Sequence, residues 1–258
     1  MEAQSFAPVK LIASRASNVN RYTSDDSLER KENELIPPYR GFVSRVALSL
    51  FGKISRVLYC LKIEGLENIP DKAPFIFCPN HESHIDVFWV IAHLPKAIRD
   101  PLCAFAKKEL LAAPHTLPIG GGFNLLHCIL AKAACVIPID RDGFNRGALR
   151  AGFQALESGR SLLIHPEGTR TRTGEILPFN RGAASIAKKA GVPLVPVRII
   201  GPYAIWPAQR TFPRLFDWRN LRRFKVTVIF GPPIYPNSDS SSQQLTEQLQ
   251  EIVSSLAD

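Results

Sequence analysis

The sequence has no uninterrupted apolar run of about 18 residues, the length a bilayer-spanning helix needs, so an ordinary transmembrane segment is not expected. It has no C-x-x-C pair. Cys60, Cys78, Cys103, Cys128 and Cys135 are odd in number and scattered, which reads as buried thiols in a reducing compartment and not as a disulfide framework. No G-x-S-x-G elbow occurs, which argues against a serine hydrolase of that kind. No zinc-finger or RNA-binding aromatic motif is present, so nucleic acid is not the expected partner. Residues 1–37 are polar and lack an apolar h-region, so a secretory signal is not expected. Their serines and scattered basic residues leave a cleaved organellar leader open, beside the plainer reading of a disordered tail.

What the chain does have is apolar content and positive charge. Hydrophobic residues make up 45% of its 258 positions, enough for a sizeable core in one domain with appendages. The formal net charge is +9. Such a surface calls for an anionic partner, and an anionic membrane or an acidic carrier fits better than nucleic acid.

Pro37-Pro38 marks a boundary, after which the pattern turns helical. Val43, Val46, Ala47, Leu50, Phe51, Ile54, Val57 and Leu58 recur at helical spacing, with Arg45, Ser49, Gly52 and Arg56 opposite and Lys53 near the edge. The segment contains no acidic residue. Two readings stand side by side: a helix lying in a membrane interface, or a surface helix whose apolar stripe packs on the domain.

Beyond it, apolar runs rich in Val and Ile alternate with helical stretches. Strands are expected at Leu58–Ile63, Pro74–Cys78, Ala134–Ile139, Ser161–His165, Leu194–Ile200 and Val226–Phe230. Helices are expected at His84–His93, Gly121–Lys132, Asn145–Ser158, Gly182–Ala190 and Gln243–Leu256. This alternation predicts an α/β fold with a mixed, largely parallel sheet flanked by helices, preceded by the amphipathic helix.

The strand at Phe75-Ile76-Phe77 runs into Cys78-Pro79-Asn80-His81-Glu82-Ser83-His84-Ile85-Asp86. Ligands of α/β sheets bind at the C-terminal ends of strands. On one regular helix, His81 and Asp86 would diverge by roughly 140°. They meet only if His81 sits on the turn before a helix and Asp86 in its first turn. A carboxylate on one ring nitrogen fixes the tautomer and makes the other nitrogen a competent base. Taken alone, H-x-x-x-x-D is a weak pattern, equally met by a capping histidine. The cluster His81, Glu82, His84, Asp86 lacks the spacing of H-E-x-x-H, which disfavours a metal site. Ser83 as a nucleophile lacks its usual elbow.

A second strand end leads into Pro166-Glu167-Gly168-Thr169-Arg170-Thr171-Arg172. Gly168 permits close approach of the backbone to a ligand, Thr169 offers a hydroxyl, and Arg170 and Arg172 can fork onto phosphate oxygens. An exposed loop with solvated arginines is the plain alternative. A third, Val136-Ile137-Pro138-Ile139-Asp140-Arg141, ends in a charge pair that could equally be a surface ion pair. The Gly120-Gly121-Gly122 run is weak evidence of anything.

Taken together and in this order, the segments resemble the glycerolipid acyltransferase family typified by 1-acyl-sn-glycerol-3-phosphate acyltransferase. Asn80-His81 to Asp86 resembles its first motif, Ile137–Arg141 its second, Pro166–Arg170 its third and Val192–Val197 its fourth. Ala106–Leu110 and Phe230–Ile234 are similar to further family features, so the likeness covers about residues 58–235. The resemblance implies an acyltransferase domain over 60–258; composition and periodicity set before it a disordered polar tail at 1–37 and an amphipathic membrane-interface helix at 38–59. The resemblance also implies His81 and Asp86 as the catalytic pair, and Arg141, Glu167, Gly168, Thr169 and Arg170 as the acceptor site. Acyl transfer from acyl-CoA or acyl-carrier-protein to lysophosphatidic acid would give phosphatidic acid, with no metal and no bound cofactor. Another lysolipid or aminolipid acceptor, a thioesterase, or a silent lipid-binding relative are the alternatives. The expected place is peripheral, on the cytoplasmic side of a membrane. His165 departs from the family, which usually carries an aromatic such as Phe there.

Overall fold

The computed structural model describes residues 40–107, 132–139, 146–210 and 212–256. All of them belong to one compact unit, Leu35–Asp258. The tail at 1–37, the helix expected at Gly121–Lys132, the Gly120–Gly122 run, Cys128, Asp140 and Arg141 lie wholly or almost wholly outside the described residues.

Seven strands form one sheet in the order β1-β7-β6-β2-β5-β3-β4. They are β1 (Cys60–Glu64), β2 (Ile76–Pro79), β3 (Cys103–Lys107), β4 (Val136–Ile139), β5 (Leu162–Leu163), β6 (Leu194–Ile200) and β7 (Lys225–Phe230). Every pairing is parallel except β6 with β7. The sheet is therefore mixed and largely parallel, as the alternation of strands and helices predicts. Parallel neighbours are covered on both faces, so their strands read as near-continuous apolar runs. All four residues of β2 are buried. Phe75 and Phe77 pack on one side with α1 (Phe42–Leu58) and α2 (Asp86–Ile91); Ile76 and Cys78 pack on the other with α4 (Arg146–Glu157), α5 (Gly182–Ala190) and α7 (Ser242–Ser255). Short helices α3 (Lys96–Arg99) and α6 (Pro202–Ile205) occupy connections. The last helix carries a full capping box between Ser241 and Gln244.

The packing of α1 bears on both of its sequence readings. Its buried face is Ser44, Leu48, Gly52 and Ser55, three small residues around one leucine. Gly52 lets the helix close on Ala92, whose carbonyl would stand 3.2 Å from a Cβ there. Arg40, buried, donates from Nε to the carbonyl of Ala133 (2.6 Å) and from Nη1 to those of Arg99 and Asp100, anchoring the start of the helix. Only one edge of the large apolar stripe, Phe51 and Leu58, reaches the core. The rest faces outward: Phe42 is 80% exposed, Val57 71%, Val43 63% and Leu50 54%. Among the described residues, most of the stripe thus has no protein packed on it. Small residues won the inner face because they permit close helix approach, which hydrophobic periodicity cannot reveal.

Cys78, Cys103 and Cys135 are buried thiols as expected, but Cys60 is exposed. It opens β1, the first strand in the sheet order, where Cys60 and Lys62 alternate as the exposed positions.

Candidate active site

Strand β2 ends against β6, and Asn80 carries the pairing one residue further with its side chain. Its Nδ2 donates to the carbonyl of Ile199 (2.9 Å), and the Ile199 N–H donates to its Oδ1 (2.7 Å). A side chain has replaced the ladder, so the backbone can leave the sheet and turn. His81 sits on that turn, and Asp86 opens α2.

The two side chains meet. His81 Nδ1–H donates to Asp86 Oδ2 at 2.9 Å, which places the basic lone pair on Nε2. The same Oδ2 accepts from the main-chain N–H groups of Glu82 (2.6 Å) and Ser83 (2.7 Å), and Oδ1 accepts from Ser83 Oγ (2.6 Å). Burial pushes the Asp86 carboxyl up, and the hydrogen bonds from Ser83 and Glu82 pull it back. With donors on both oxygens, the carboxylate is an acceptor locked in one orientation. Ser83 is fully buried and its hydroxyl is committed to Asp86, so it is a support for the pair and not a nucleophile. His84 points away from His81, toward Trp206 and Arg170. The four residues that could have been metal ligands do not converge.

The loop after β5 grips His81 from three directions. Glu167 Oε1 accepts from the His81 N–H at 2.8 Å, and Thr171 N–H donates to the His81 carbonyl at 2.9 Å. The ring of His165 stacks on that of His81. Glu82, the other neighbour, accepts from Gly201 and Tyr203 N–H (both 3.1 Å), tying the turn to the end of β6. Burial raises both Glu82 and Glu167 to about 7, against the main-chain donors that favour their charged forms.

A family model described as acyltransferase matches residues 60–200. The chain belongs to the acyltransferase family. It is 29% identical over 177 residues to the chloroplastic 1-acyl-sn-glycerol-3-phosphate acyltransferase LPAT1 of Arabidopsis thaliana, covering 67% of this chain and 45% of that one. To the 1-acyl-sn-glycerol-3-phosphate acyltransferase of Pseudomonas aeruginosa it is 31% identical over 167 residues, 63% of this chain and 57% of that one. The crystal structure of the 1-acyl-sn-glycerophosphate acyltransferase PlsC from Thermotoga maritima superposes with a TM-score of 0.61 at 25% identity, covering 83% of this chain and 78% of that one. The chain spans about half the length of the curated relatives it matches.

In this acyltransferase the expected acceptor residues divide into two groups. Gly168, Thr169 and Arg170 form the outer lip of the loop, with Gly168 in the left-handed region at φ 68° and both Gly168 and Thr169 exposed. Arg170 reaches Nδ1 of His84, which burial and that guanidinium together push down to about 4. A neutral His84 nitrogen accepts from Arg170 and so holds the guanidinium in place on the loop. Glu167, expected in the acceptor site, stands behind that lip with its carboxylate turned to the main chain. Its second oxygen accepts from Leu177 N–H (3.0 Å), so both oxygens are taken by main chain and the side chain braces the His81 turn from inside. Arg141 lies outside the described residues. Asn80, placed by the resemblance in the first motif, and Glu82, weighed from sequence as a metal ligand, are the structural ties that aim His81. Their signal was present in their polarity next to a fully apolar strand.

Proposed function

We propose that this acyltransferase moves a fatty acyl group from acyl-CoA or acyl-carrier-protein to the free hydroxyl of a lysophosphatidic acid-type acceptor, giving phosphatidic acid. The observation that carries it is the His81–Asp86 pair, 2.9 Å apart at the end of β2, with Arg170 on the adjoining loop. His81 Nε2 takes the proton of the acceptor hydroxyl as its oxygen attacks the thioester carbonyl. Asp86 stabilises the imidazolium. The tetrahedral intermediate then expels the thiolate, which takes the proton from His81, so no acyl-enzyme forms and no metal or bound cofactor takes part. Gly168, Thr169 and Arg170, with Arg141, hold the phosphate. The test is a labelled acyl thioester given to the purified chain with lysophosphatidic acid, with other lysolipids, and with no acceptor. Labelled phosphatidic acid is the expected product. Free fatty acid without acceptor would mean a thioesterase, and no consumption a silent relative.

The acceptor has one acyl chain and the product two, so both reside in a bilayer. We therefore place the chain peripherally on an anionic membrane surface, on the side that carries the acyl thioester. Among the described residues no helix is long and apolar enough to cross a membrane. The outward apolar face of α1, beside Arg45, Lys53 and Arg56 with no acidic residue, supports an interfacial helix.

A further inference from the structure

At the far end of the sheet from β4, the last turn of α1 and the first residues of β1 and β7 bound an open cleft of about 470 Å³. Among its lining residues are Arg56, Tyr59, Lys62, Arg223, Lys225 and Thr227, and none of the lining is acidic. Lys62 is paired along its own strand with Glu64. Arg223 donates to the carbonyl of Val57 at 3.0 Å, closing the C-terminus of α1. Among the described residues, Arg56, Arg223 and Lys225 have no carboxylate within ion-pair distance. Three uncompensated cations around one concavity repel one another, and an anion seated there removes that cost.

The register of the strands places this cleft with respect to the chemistry. Cys60 lies opposite Lys225, and Thr227 opposite Ile200. The starts of β1 and β7 are therefore level with the end of β6, which is level with the end of β2 and hence with His81. From β1 to β2 is three interstrand steps, roughly 14 Å, so the cleft and the catalytic pair share one edge without sharing a site. Apolar surface flanks the cations. On one side is the outward face of α1. On the other is segment 212–221, where Trp218 is 78% and Leu221 76% exposed. Tyr59 Oη donates to the carbonyl of Arg214 (3.1 Å) and fastens that segment to the end of α1.

We propose that this cleft seats the phosphate of an anionic bilayer phospholipid, separate from the acceptor, and so holds the His81 edge of the sheet against the membrane. A free phosphate would use the cations alone; a lipid uses the cations and the apolar flanks together. The proposal rests on the membrane reading given under Proposed function.

The test uses the full chain, vesicles of phosphatidylcholine with and without phosphatidylglycerol, and the double variant Arg56→Gln/Lys225→Gln. Lys96→Gln, on α3 at the opposite sheet edge, is the control for bulk charge. Each cleft charge removed should weaken binding to anionic vesicles about fivefold, and Lys96→Gln should change it little. Activity on acceptor dispersed in neutral detergent micelles should be unchanged in the double variant. Equal losses in the double variant and the control, scaled per charge, would overturn the proposal in favour of diffuse attraction. So would saturable binding of inorganic phosphate to the cleft in the absence of vesicles, or loss of micellar activity, which would assign the cleft to the acceptor. If wild type itself acylates nothing in micelles, the proposed reaction fails while the vesicle measurements still decide the cleft.

Discussion

The ring of His165 lies flat on the ring of His81, with centroids 3.9 Å apart and planes 14° from parallel. His165 Nδ1–H donates to the carbonyls of Asn80 (3.1 Å) and Pro79 (3.2 Å), which fixes its plane from below. Burial, with His81 beside it, pushes His165 down to about 3, so it is neutral at any pH at which His81 can serve as the proposed base. A neutral ring can tolerate a transient imidazolium stacked on it; a second cation could not.

The first prediction concerns that stack. His165→Phe keeps a flat ring under His81 and should retain kcat within about tenfold, whereas His165→Ala leaves the base unsupported. Small displacements of catalytic groups cost up to about 100-fold, so a kcat loss of that order with acceptor KM nearly unchanged is expected for the alanine variant. Steady-state kinetics of both variants on lysophosphatidic acid decides it. Equal activity in all three proteins would make the stack a packing contact only.

How the sequence foreshadowed this site depended on what kind of signal each residue carries. Strand β6 and helix α5 begin and end where apolar patterning places them, because their neighbours are Gly, Pro and charged residues that punctuate the chain. Strand β3 was not foreseen: Cys-Ala-Phe-Ala-Lys has no β-branched residue, and its place in the sheet comes from β4 and β5 on either side. The His81–Asp86 contact was legible as a turn followed by a helix start. The stack of His165, the bracing by Glu167 and the amide of Asn80 across to Ile199 were not, since each joins segments some 85 to 119 residues apart.

His81→Ala should lower kcat by roughly 100- to 10,000-fold while the protein stays folded and still binds acceptor. Asp86→Asn should be comparably impaired, because an amide cannot accept on both oxygens from Glu82, Ser83 and His81 or balance an imidazolium. Circular dichroism alongside turnover separates loss of chemistry from loss of fold. Near-native turnover in folded His81→Ala would remove the proposed base.

Arg170→Ala should raise the KM of a phosphorylated acceptor about tenfold or more, the loss expected for charge-assisted hydrogen bonds, with a smaller change in the donor KM. An increase confined to the thioester would reassign Arg170 to the donor.

Glu82 and Glu167 predict how stability varies with pH. Both carboxyls are raised from 4.5 to about 7 by burial, so the folded state holds their protons more tightly than the unfolded chain does. That stabilisation is complete below about pH 4.5 and is lost as pH rises through about 7. Glu82→Gln still accepts from Gly201 and Tyr203 through its amide oxygen, and gives up only the 3.4 Å contact from Asn80. Its denaturation midpoint should therefore fall less steeply than wild type across this window. An unchanged slope in urea titrations at several pH values would place the titration elsewhere.

The last prediction uses the two faces of α1. Deleting the helix would not isolate the proposed membrane contact, because Leu48 is fully buried among Phe88, Trp89 and the β2 core residues. Point substitutions can. Leu50→Ser and Val57→Ser alter exposed positions and should change folding stability by no more than about 0.5 kcal/mol. Leu48→Ala should cost about 2–5 kcal/mol, as a buried leucine does. If the outward stripe meets lipid, the serine variants should bind phosphatidylcholine vesicles more weakly than wild type while unfolding at the same urea concentration. Their deficit should persist at high salt, since apolar contact is not screened, whereas the basic residues beside them act within a Debye length of about 10 Å. Serine variants that unfold as early as Leu48→Ala would mean that the stripe is packed against protein, and the interfacial role of α1 would be withdrawn.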